Sequence, residues 1–200
     1  MKSFIKNSIF TIVIFFTLTM NSQPKKETAI FAGGCFWCTE SIFKNLKGVE
    51  SIVPGYTGGK RPNPTYEQVS TGATGHAEAV KIIYNPDQIS YEELLQVFFA
   101  THDPTTLNRQ GNDVGTQYRS AIFYTTPEQK EKAEAYIKFL NESDVFDNYI
   151  VTEVVPEAPF YEAEEYHKNY LEKNPDNPYC QYVVLPKLEK FRKQFKSKLK

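Results

Sequence analysis

Residues 28–38 read TAIFAGGCFWC, an apolar run followed by two glycines and a closely spaced pair of cysteines. The apolar run is typical of a buried strand, and the two glycines predict a tight turn after it. Apolar residues then recur at helical spacing from Cys35 to Leu46, and Gly48 marks the end of that stretch. The segment therefore predicts a strand, a turn and a helix that begins at Cys35.

Strands and helices alternate along the rest of the chain. We predict strands at 49–56, 76–84, 119–124 and 150–155, and helices at 90–99, 126–140, 164–171 and 187–200. The connections 57–75 and 103–117 are long and irregular, and 179–186 is expected to be extended. The pattern predicts an α+β fold, a two-layer sandwich in which helices pack on a mixed sheet with a ferredoxin-like core. Long loops in such a domain usually carry function.

The first 22 residues differ from the remainder. Lys2 and Lys6 precede an apolar run at 9–20, and polar residues with Ser22 follow it. This order is typical of a secretory signal peptide. We predict a signal at 1–22, one catalytic domain at 23–200 and export to a bacterial periplasm. An uncleaved signal that anchors the chain is the alternative, although the run is shorter than the roughly 20 residues of a membrane span.

Charge and cysteine content limit the classes of function. The net charge of −1 gives no general attraction to nucleic acid or to anionic membranes. We therefore predict no nucleic-acid partner and no membrane contact beyond the signal. The expected state is a monomer, although the sequence carries no signal for the oligomeric state. The chain has three cysteines, and an odd number leaves at least one thiol without a permanent partner.

Cys35 is predicted to face the unpaired N–H groups and the positive end of its helix. Both favour the thiolate, so we expect a lowered pKa and a nucleophilic sulfur. Cys38 lies three residues later on the same face, close enough to form a disulfide with Cys35. Three interpretations stay open: a redox nucleophile with an adjacent resolving cysteine, half of a zinc site completed by Cys180 and a histidine, or two ordinary buried cysteines. The absence of a second obvious ligand pair favours redox chemistry over zinc.

Five blocks of sequence, in order, resemble the peptide-methionine (S)-S-oxide reductase family (MsrA). Together they cover nearly all of residues 28–180. The blocks are GCFW at 34–37 with Glu40, GYTGG at 55–59 with NPTY at 63–66, TGHAEAV at 74–80, QGND at 110–113 with GTQYRS at 115–120, and PFY at 159–161 with 167–175. One short motif would be weak, whereas five in register are specific.

The resemblance implies an enzyme that returns methionine S-sulfoxide, free or within oxidised proteins, to methionine. It assigns the site to these residues: Cys35 as nucleophile, Phe36 and Trp37 as an apolar box for the substrate methyl group, Tyr56, Glu78 and Tyr118 around the sulfoxide oxygen, and Asp113 as a residue that orders the site. Glu78 donates a proton only if burial raises its pKa, and its apolar strand makes that burial expected. We interpret His76 as structural.

The resemblance also implies how the catalytic cycle closes. No metal or cofactor is bound; a sulfenic acid on Cys35 condenses with a resolving thiol, and a thioredoxin-like external dithiol reduces the disulfide. Many members have glycine at the position of Cys38. Here Cys38 and Cys180 are both predicted to resolve, Cys38 first because it is local. The alternatives are a general thiol–disulfide oxidoreductase and a zinc-binding module.

Overall fold

A computed structural model describes residues 25–200 and shows a six-stranded sheet covered on one face by helices. The predicted signal peptide lies outside the described residues. Within 25–200, no helix combines the length and the hydropathy that crossing a bilayer requires.

Eight strands and six α-helices are assigned in the described range. The strands are β1 Glu27–Gly33, β2 Val49–Thr57, β3 Ala77–Tyr84, β4 Arg109–Gln110, β5 Asp113–Val114, β6 Ser120–Tyr124, β7 Glu153–Pro156 and β8 Tyr161–Glu162. The helices are α1 Phe36–Phe43, α2 Tyr66–Ser70, α3 Tyr91–Thr101, α4 Pro127–Glu142, α5 Tyr170–Lys173 and α6 Leu185–Gln194.

The large sheet has the order β7-β6-β1-β3-β2-β8. Its pairs are antiparallel except for β6 and β7, which are parallel. The succession β1-α1-β2-β3-α3-β6, with β6-β1-β3-β2 as neighbours in space, is a ferredoxin-like core. The predicted α+β fold with a mixed sheet is therefore confirmed.

One face of the sheet packs against α1 and α3. Phe31 of β1 lies on this face, with ring centroids 5.6 Å from Phe43 and 4.9 Å from Phe98. Phe31 is paired with Val80, and side chains alternate along a strand, so Glu78 of β3 faces the same helices. A carboxylic acid is thus built into the helix-covered face next to the start of α1.

The helix starts that the sequence marks are found where predicted. Ser90 caps α3 and forms a reciprocal capping box with Glu93, while Thr126 caps α4 and Pro127 occupies its first turn. These are local interactions between residues three apart, and they depend little on the rest of the fold. The loop 57–75 also contains α2, which was not predicted although Thr65 and Gln68 form another capping box.

The expectation of an extended segment at 179–186 is wrong. Residues Cys180–Val184 form a π-helical stretch that continues directly into α6. Cys180, Val184, Leu188 and Phe191 are all buried, and their spacing makes one continuous apolar stripe. Because this stripe packs on the rest of the domain, tertiary burial overrides the extended preference of a local sequence that contains two valines and a proline.

The predicted helix 164–171 is also interrupted. It forms a single 3₁₀ turn, Glu165–His167, and then the short α5. Asn169 between them has a φ of 54°, a left-handed conformation in which a right-handed helix cannot continue. The break lets the Asn169 N–H donate to both carboxylate oxygens of the buried Glu40, each at 3.0 Å.

Candidate active site

The chain turns sharply between β1 and α1. Gly34 has a φ of 92°, and a Cβ there would lie 2.6 Å from the Gln110 side chain, so only glycine fits without strain. Cys35 follows as the N-cap of α1, and its carbonyl accepts the Cys38 N–H at 3.1 Å. The sulfur of Cys35 is therefore held at the start of a helix, as predicted.

The predicted low pKa of Cys35 is wrong. Burial, with only 8 % of the residue exposed, raises the pKa of the thiol well above its usual value. The Cys38 thiol and the Glu78 carboxyl raise it further, while the Trp37 N–H opposes them. Removing the sulfur from water outweighs the favourable end of an eight-residue helix.

Cys38 shows the opposite behaviour. Its contact with the Cys35 thiol lowers its pKa most, against the effect of burial. The Lys187 ammonium and the Tyr179 hydroxyl lower it further, and Asp113 opposes them. The two thiols are therefore coupled, and when the pair loses a proton Cys38 ionises before Cys35.

Glu78 lies directly beside the start of α1. One carboxyl oxygen, Oε2, accepts the Phe36 N–H at 3.0 Å, and only 2 % of the residue is exposed. Burial raises its pKa to about 8, although the Phe36 N–H acts in the other direction. At neutral pH most of the Glu78 carboxyl is therefore protonated and can donate a hydrogen bond.

Tyr56 is paired with Glu78 across β2 and β3, but its hydroxyl is engaged elsewhere. It donates to Glu164 Oε2 at 2.7 Å. Tyr66 and Tyr118 are half-buried near Glu78 and Cys35. Burial raises the pKa of Tyr66 to about 12 and that of Tyr118 above its usual value, and the nearby Glu78 carboxyl, which is ionised at such high pH, adds to both shifts. Both therefore remain hydrogen-bond donors at physiological pH.

Asp113 contacts the site through another tyrosine. Its carboxylate accepts the Tyr179 hydroxyl at 2.5 Å, and the Tyr179 ring stands edge-on to Trp37 with centroids 5.7 Å apart. Burial raises the pKa of Tyr179, and the charges of Cys35 and Cys38 add to this effect. Asp113 thus orders the segment that covers the two thiols.

The predicted apolar box is present and is braced from behind. Trp37 stacks on Tyr170, with centroids 3.6 Å apart and planes 3° from parallel. Its Nε1–H donates to His167 Nδ1 at 3.0 Å, which places the His167 proton on Nε2. Burial lowers the pKa of His167, so the ring is neutral. Phe36 forms the second wall, its centroid 6.4 Å from that of Trp37.

Several residues that contribute to this site were not predicted. These are Tyr66, Glu164, His167, Tyr170 and Tyr179. Tyr66 and His167 fall within blocks that carry the family resemblance, so the blocks offered a signal for them. Glu164, in contrast, acts through Tyr56, which lies 108 residues away along the chain, and no local pattern indicates such a contact.

The structure also locates Cys180 and His76, the remaining cysteine and histidine for which the sequence predicted a role. Cys180 is fully buried, and burial followed by the charge of Cys38 raises its pKa. All three cysteines are free thiols. His76 accepts the Gly59 N–H through Nδ1 and contacts the Arg61 carbonyl through Nε2, which is a structural role. Across residues 25–200, no group of three or more His, Cys, Asp or Glu side chains is arranged to hold a metal ion.

Comparison with known proteins places this arrangement among methionine sulfoxide reductases. The family described as "Peptide methionine sulfoxide reductase" matches residues 27–199. A "Peptide methionine sulfoxide reductase MsrA" of Deinococcus radiodurans is 53% identical over 186 residues, covering 92% of this chain and 90% of that protein. The protein of the same name from Nautilia profundicola is 58% identical over 165 residues, covering 82% and 94%.

Solved structures give the same answer. Methionine sulfoxide reductase A of Corynebacterium diphtheriae has a TM-score of 0.67 and 39% identity, covering 78% of this chain and 79% of its own. Reduced Mxr1 of Saccharomyces cerevisiae has a TM-score of 0.74 and 36% identity, covering 82% and 94%. Mxr1 has also been solved in complex with Trx2, with a TM-score of 0.54, 27% identity and coverage of 76% and 91%.

Proposed function

Because the chain belongs to the peptide methionine sulfoxide reductase family, we propose that this oxidoreductase reduces the S epimer of methionine sulfoxide, free and within oxidised proteins. Cys35 is the nucleophile. The observation that carries this assignment is a buried, mostly protonated Glu78 that is bound to the Phe36 N–H immediately beside Cys35. An acid in that position can protonate a sulfoxide oxygen while the sulfur is attacked.

The first half-reaction moves one oxygen atom. Cys35 gives up its proton and its sulfur attacks the sulfoxide sulfur, whose oxygen takes a proton from Glu78; the proton that Cys35 released then restores the Glu78 carboxyl. Oxygen passes to Cys35 as a sulfenic acid and methionine leaves, so the sulfoxide is reduced and Cys35 is oxidised by two electrons. Phe36 and Trp37 hold the substrate methyl group during this step.

Two tyrosines complete the cradle for the oxygen. Tyr66 and Tyr118 lie near Glu78 and Cys35 and keep their protons, so we assign the hydrogen bonds to the developing oxyanion to them. Tyr56 was predicted to hold this oxygen. Its hydroxyl is committed to Glu164, and we therefore assign it a supporting role behind Glu78. Asp113 acts through Tyr179.

The second half-reaction restores the thiols. Cys38 condenses with the sulfenic acid, releasing water and forming a Cys35–Cys38 disulfide. Cys180, buried next to them, then accepts the disulfide, and a thioredoxin-like dithiol reduces it. The complex of the relative Mxr1 with Trx2 supports a reductant of this class. The cycle needs no bound cofactor.

The test is activity on the two separated sulfoxide epimers with dithiothreitol as reductant. Wild type should reduce the S epimer, and Cys35→Ser should not. One equivalent of substrate should also produce one disulfide, whereas mixing with a disulfide-bonded protein that contains no methionine sulfoxide should not. Disulfide formation only with such a protein would instead support the general thiol–disulfide oxidoreductase. Retained activity of Cys35→Ser would contradict the proposed nucleophile.

We further propose that the enzyme is exported. The charged start, the apolar run 9–20 and Ser22 support a periplasmic location after cleavage of the signal 1–22. The mass of the protein recovered from the periplasm of a bacterial host would show whether the mature chain begins near Gln23. Recovery of full-length chain from the membrane fraction would favour the uncleaved anchor.

A further inference from the structure

Lys187 lies in the first turn of α6 and is half-buried. It lines a small cavity together with Cys38 and Ile42 of α1 and with His102, which follows α3. Across the described residues, none of the ion pairs includes Lys187, whereas most other partly buried lysines are paired with a carboxylate. A lysine that faces a thiol cavity without a carboxylate partner is available to the sulfur.

The other titratable groups around Cys38 do not supply a positive charge. His102 binds the Phe98 carbonyl and the Ser120 hydroxyl, and burial lowers its pKa to about 4, so the ring stays neutral. The Asp113 carboxyl cannot carry a positive charge, and it accepts the Tyr179 hydroxyl. The remaining neighbours, described above, are Tyr179, Cys35, Glu78 and Cys180, and none of these can be cationic. Lys187 is thus the cation that acts on Cys38 within residues 25–200.

We propose that Lys187 is a positioning residue for disulfide formation: its ammonium group holds the Cys38 sulfur as the thiolate that attacks the Cys35 sulfenic acid. The inference rests on the proposed function and deepens its second half-reaction. In this step Cys38 loses its proton, the new S–S bond forms and the Cys35 S–O bond breaks. Hydroxide takes up one proton and leaves as water. Cys38 is oxidised and Cys35 is reduced to the disulfide level, so no external oxidant is needed.

The geometry also explains why Cys38 rather than Cys180 attacks first. Cys180 lies in the π-helical stretch that leads into α6, seven residues before Lys187. Burial raises its pKa, and it has to leave its helical turn to reach Cys35. Cys38 is already in place beside Cys35, and α6 holds Lys187 against its cavity. The C-terminal helix α6 therefore promotes ionisation of Cys38 through Lys187, while the stretch that leads into it keeps Cys180 buried.

The experiment compares Lys187→Gln, Lys187→Arg and Lys190→Gln in a Cys180→Ser background. Lys190 is the matched control, because it is an exposed lysine one turn later on the same helix and does not line the Cys38 cavity. Each protein receives one equivalent of the S epimer without reductant at several pH values. Methionine release reports on Cys35, and the loss of free thiols reports on disulfide formation. Thermal melting shows that each variant is folded.

Lys187→Gln should release one methionine at the parental rate but form the disulfide about three- to tenfold more slowly near pH 7. One pKa unit changes the thiolate fraction tenfold, and greater nucleophilicity recovers part of that loss. Its rate profile should move to higher pH, and trapped sulfenic acid should accumulate. Lys187→Arg should restore the rate and Lys190→Gln should leave it unchanged.

Two outcomes overturn the inference. One is parental disulfide formation with an unchanged pH profile in Lys187→Gln, and the other is a Lys187→Arg protein as slow as Lys187→Gln, which would show a steric role. Failure of the Cys180→Ser parent itself to release methionine would instead count against the proposed function. The two readouts therefore separate the two claims.

Discussion

At the scale of single residues, Glu78 connects burial to chemistry. Its carboxyl is enclosed by the helix-covered face of the sheet and by the Phe36 N–H. A buried carboxyl that stays neutral at pH 7 is a general acid in the position where one is needed. Burial therefore makes Glu78 reactive, while for Cys35 the same burial opposes ionisation.

Replacing Glu78 by Gln should lower kcat for the S epimer by about 100-fold or more, because the amide keeps the volume but cannot transfer a proton. In wild type, methionine release should decline as pH rises through about 8, where Glu78 loses its proton. Single-turnover methionine release between pH 6 and pH 10 would measure both effects. A wild-type rate that does not change across that range would contradict the acid role.

The same variant offers a stability control with a definite sign. The pKa of Glu78 is raised on folding, so its contribution to the free energy of unfolding is complete below its unfolded value near 4.5 and is lost as pH rises towards 8. Glu78→Gln does not titrate. Its melting temperature relative to wild type should therefore increase from pH 5 to pH 8.5, while its activity stays low.

The expected effect of replacing a tyrosine of the site by phenylalanine depends on whether its hydroxyl is free to bind the substrate oxygen beside Glu78. Tyr66→Phe and Tyr118→Phe should each lower kcat/KM by about tenfold or more, since each removes a donor to the oxyanion. Tyr56→Phe should act mainly on stability, because it frees Glu164 rather than the substrate. The exposed Tyr149 provides a control, as Tyr149→Phe should change neither quantity. If Tyr56→Phe lowered kcat/KM more than both other variants, the result would show that Tyr56 binds the sulfoxide oxygen, as the family resemblance implied.

At the scale of elements, two helix ends form the site. The N-terminus of α1 presents Cys35 and Cys38, and the N-terminus of α6 places Lys187 behind them. The π-helical stretch before α6 keeps Cys180 buried, and π-helical turns are often found at functional sites. The contact between these two helices therefore places Cys38 and Lys187 on one cavity.

Loosening that contact should release Cys180. Phe191→Ala removes a fully buried ring of α6 and should cost about 3–5 kcal/mol of unfolding free energy. Alkylation of Cys180 should become faster, with a smaller change at Cys35. Phe139→Ala in α4 is the control, because that ring is 60 % exposed and should affect neither. Unchanged labelling of Cys180 in a clearly destabilised Phe191→Ala would show that α6 does not protect it.

At the scale of the whole molecule, the proposed redox cycle uses cysteines from two parts of the fold, the β1–α1 connection and the C-terminal segment. Cys35 and Cys38 are held by the β1–α1 turn, whereas Cys180 belongs to a segment that crosses over α1 near the end of the chain. Because Cys180 is buried within a helical turn, a disulfide that involves it requires that segment to rearrange, and a local disulfide does not.

Cys38→Ser should therefore slow disulfide formation after one equivalent of substrate, while Cys180→Ser should leave this first step at the wild-type rate. With a thioredoxin as reductant, Cys180→Ser should lower multiple turnover instead. Peptide mapping of the disulfide at timed intervals would distinguish the pairs. A Cys35–Cys180 disulfide that forms in Cys38→Ser as fast as the wild-type disulfide would reverse the proposed order.

Local signals in the sequence were sufficient for five of the eight strands and for most helix starts, but not for the two-residue strands β4, β5 and β8. Three features depend only on residues a few positions apart: the β1–turn–α1 segment, the Ser90 capping box and Pro127 at the start of α4. They can therefore be predicted without knowledge of the fold. The order of the five blocks was likewise enough to indicate the family. The turns and helix starts can be recognised locally because short-range hydrogen bonds and steric restrictions produce them.

Only the tertiary structure decided the electrostatics of the site and the form of the C-terminus. The raised pKa of Cys35, the engagement of Tyr56 by Glu164 and the π-helical stretch Cys180–Val184 all arise from contacts between distant segments. The physical reason is desolvation. How far a group is removed from water depends on every element that packs around it, and no local pattern contains that information.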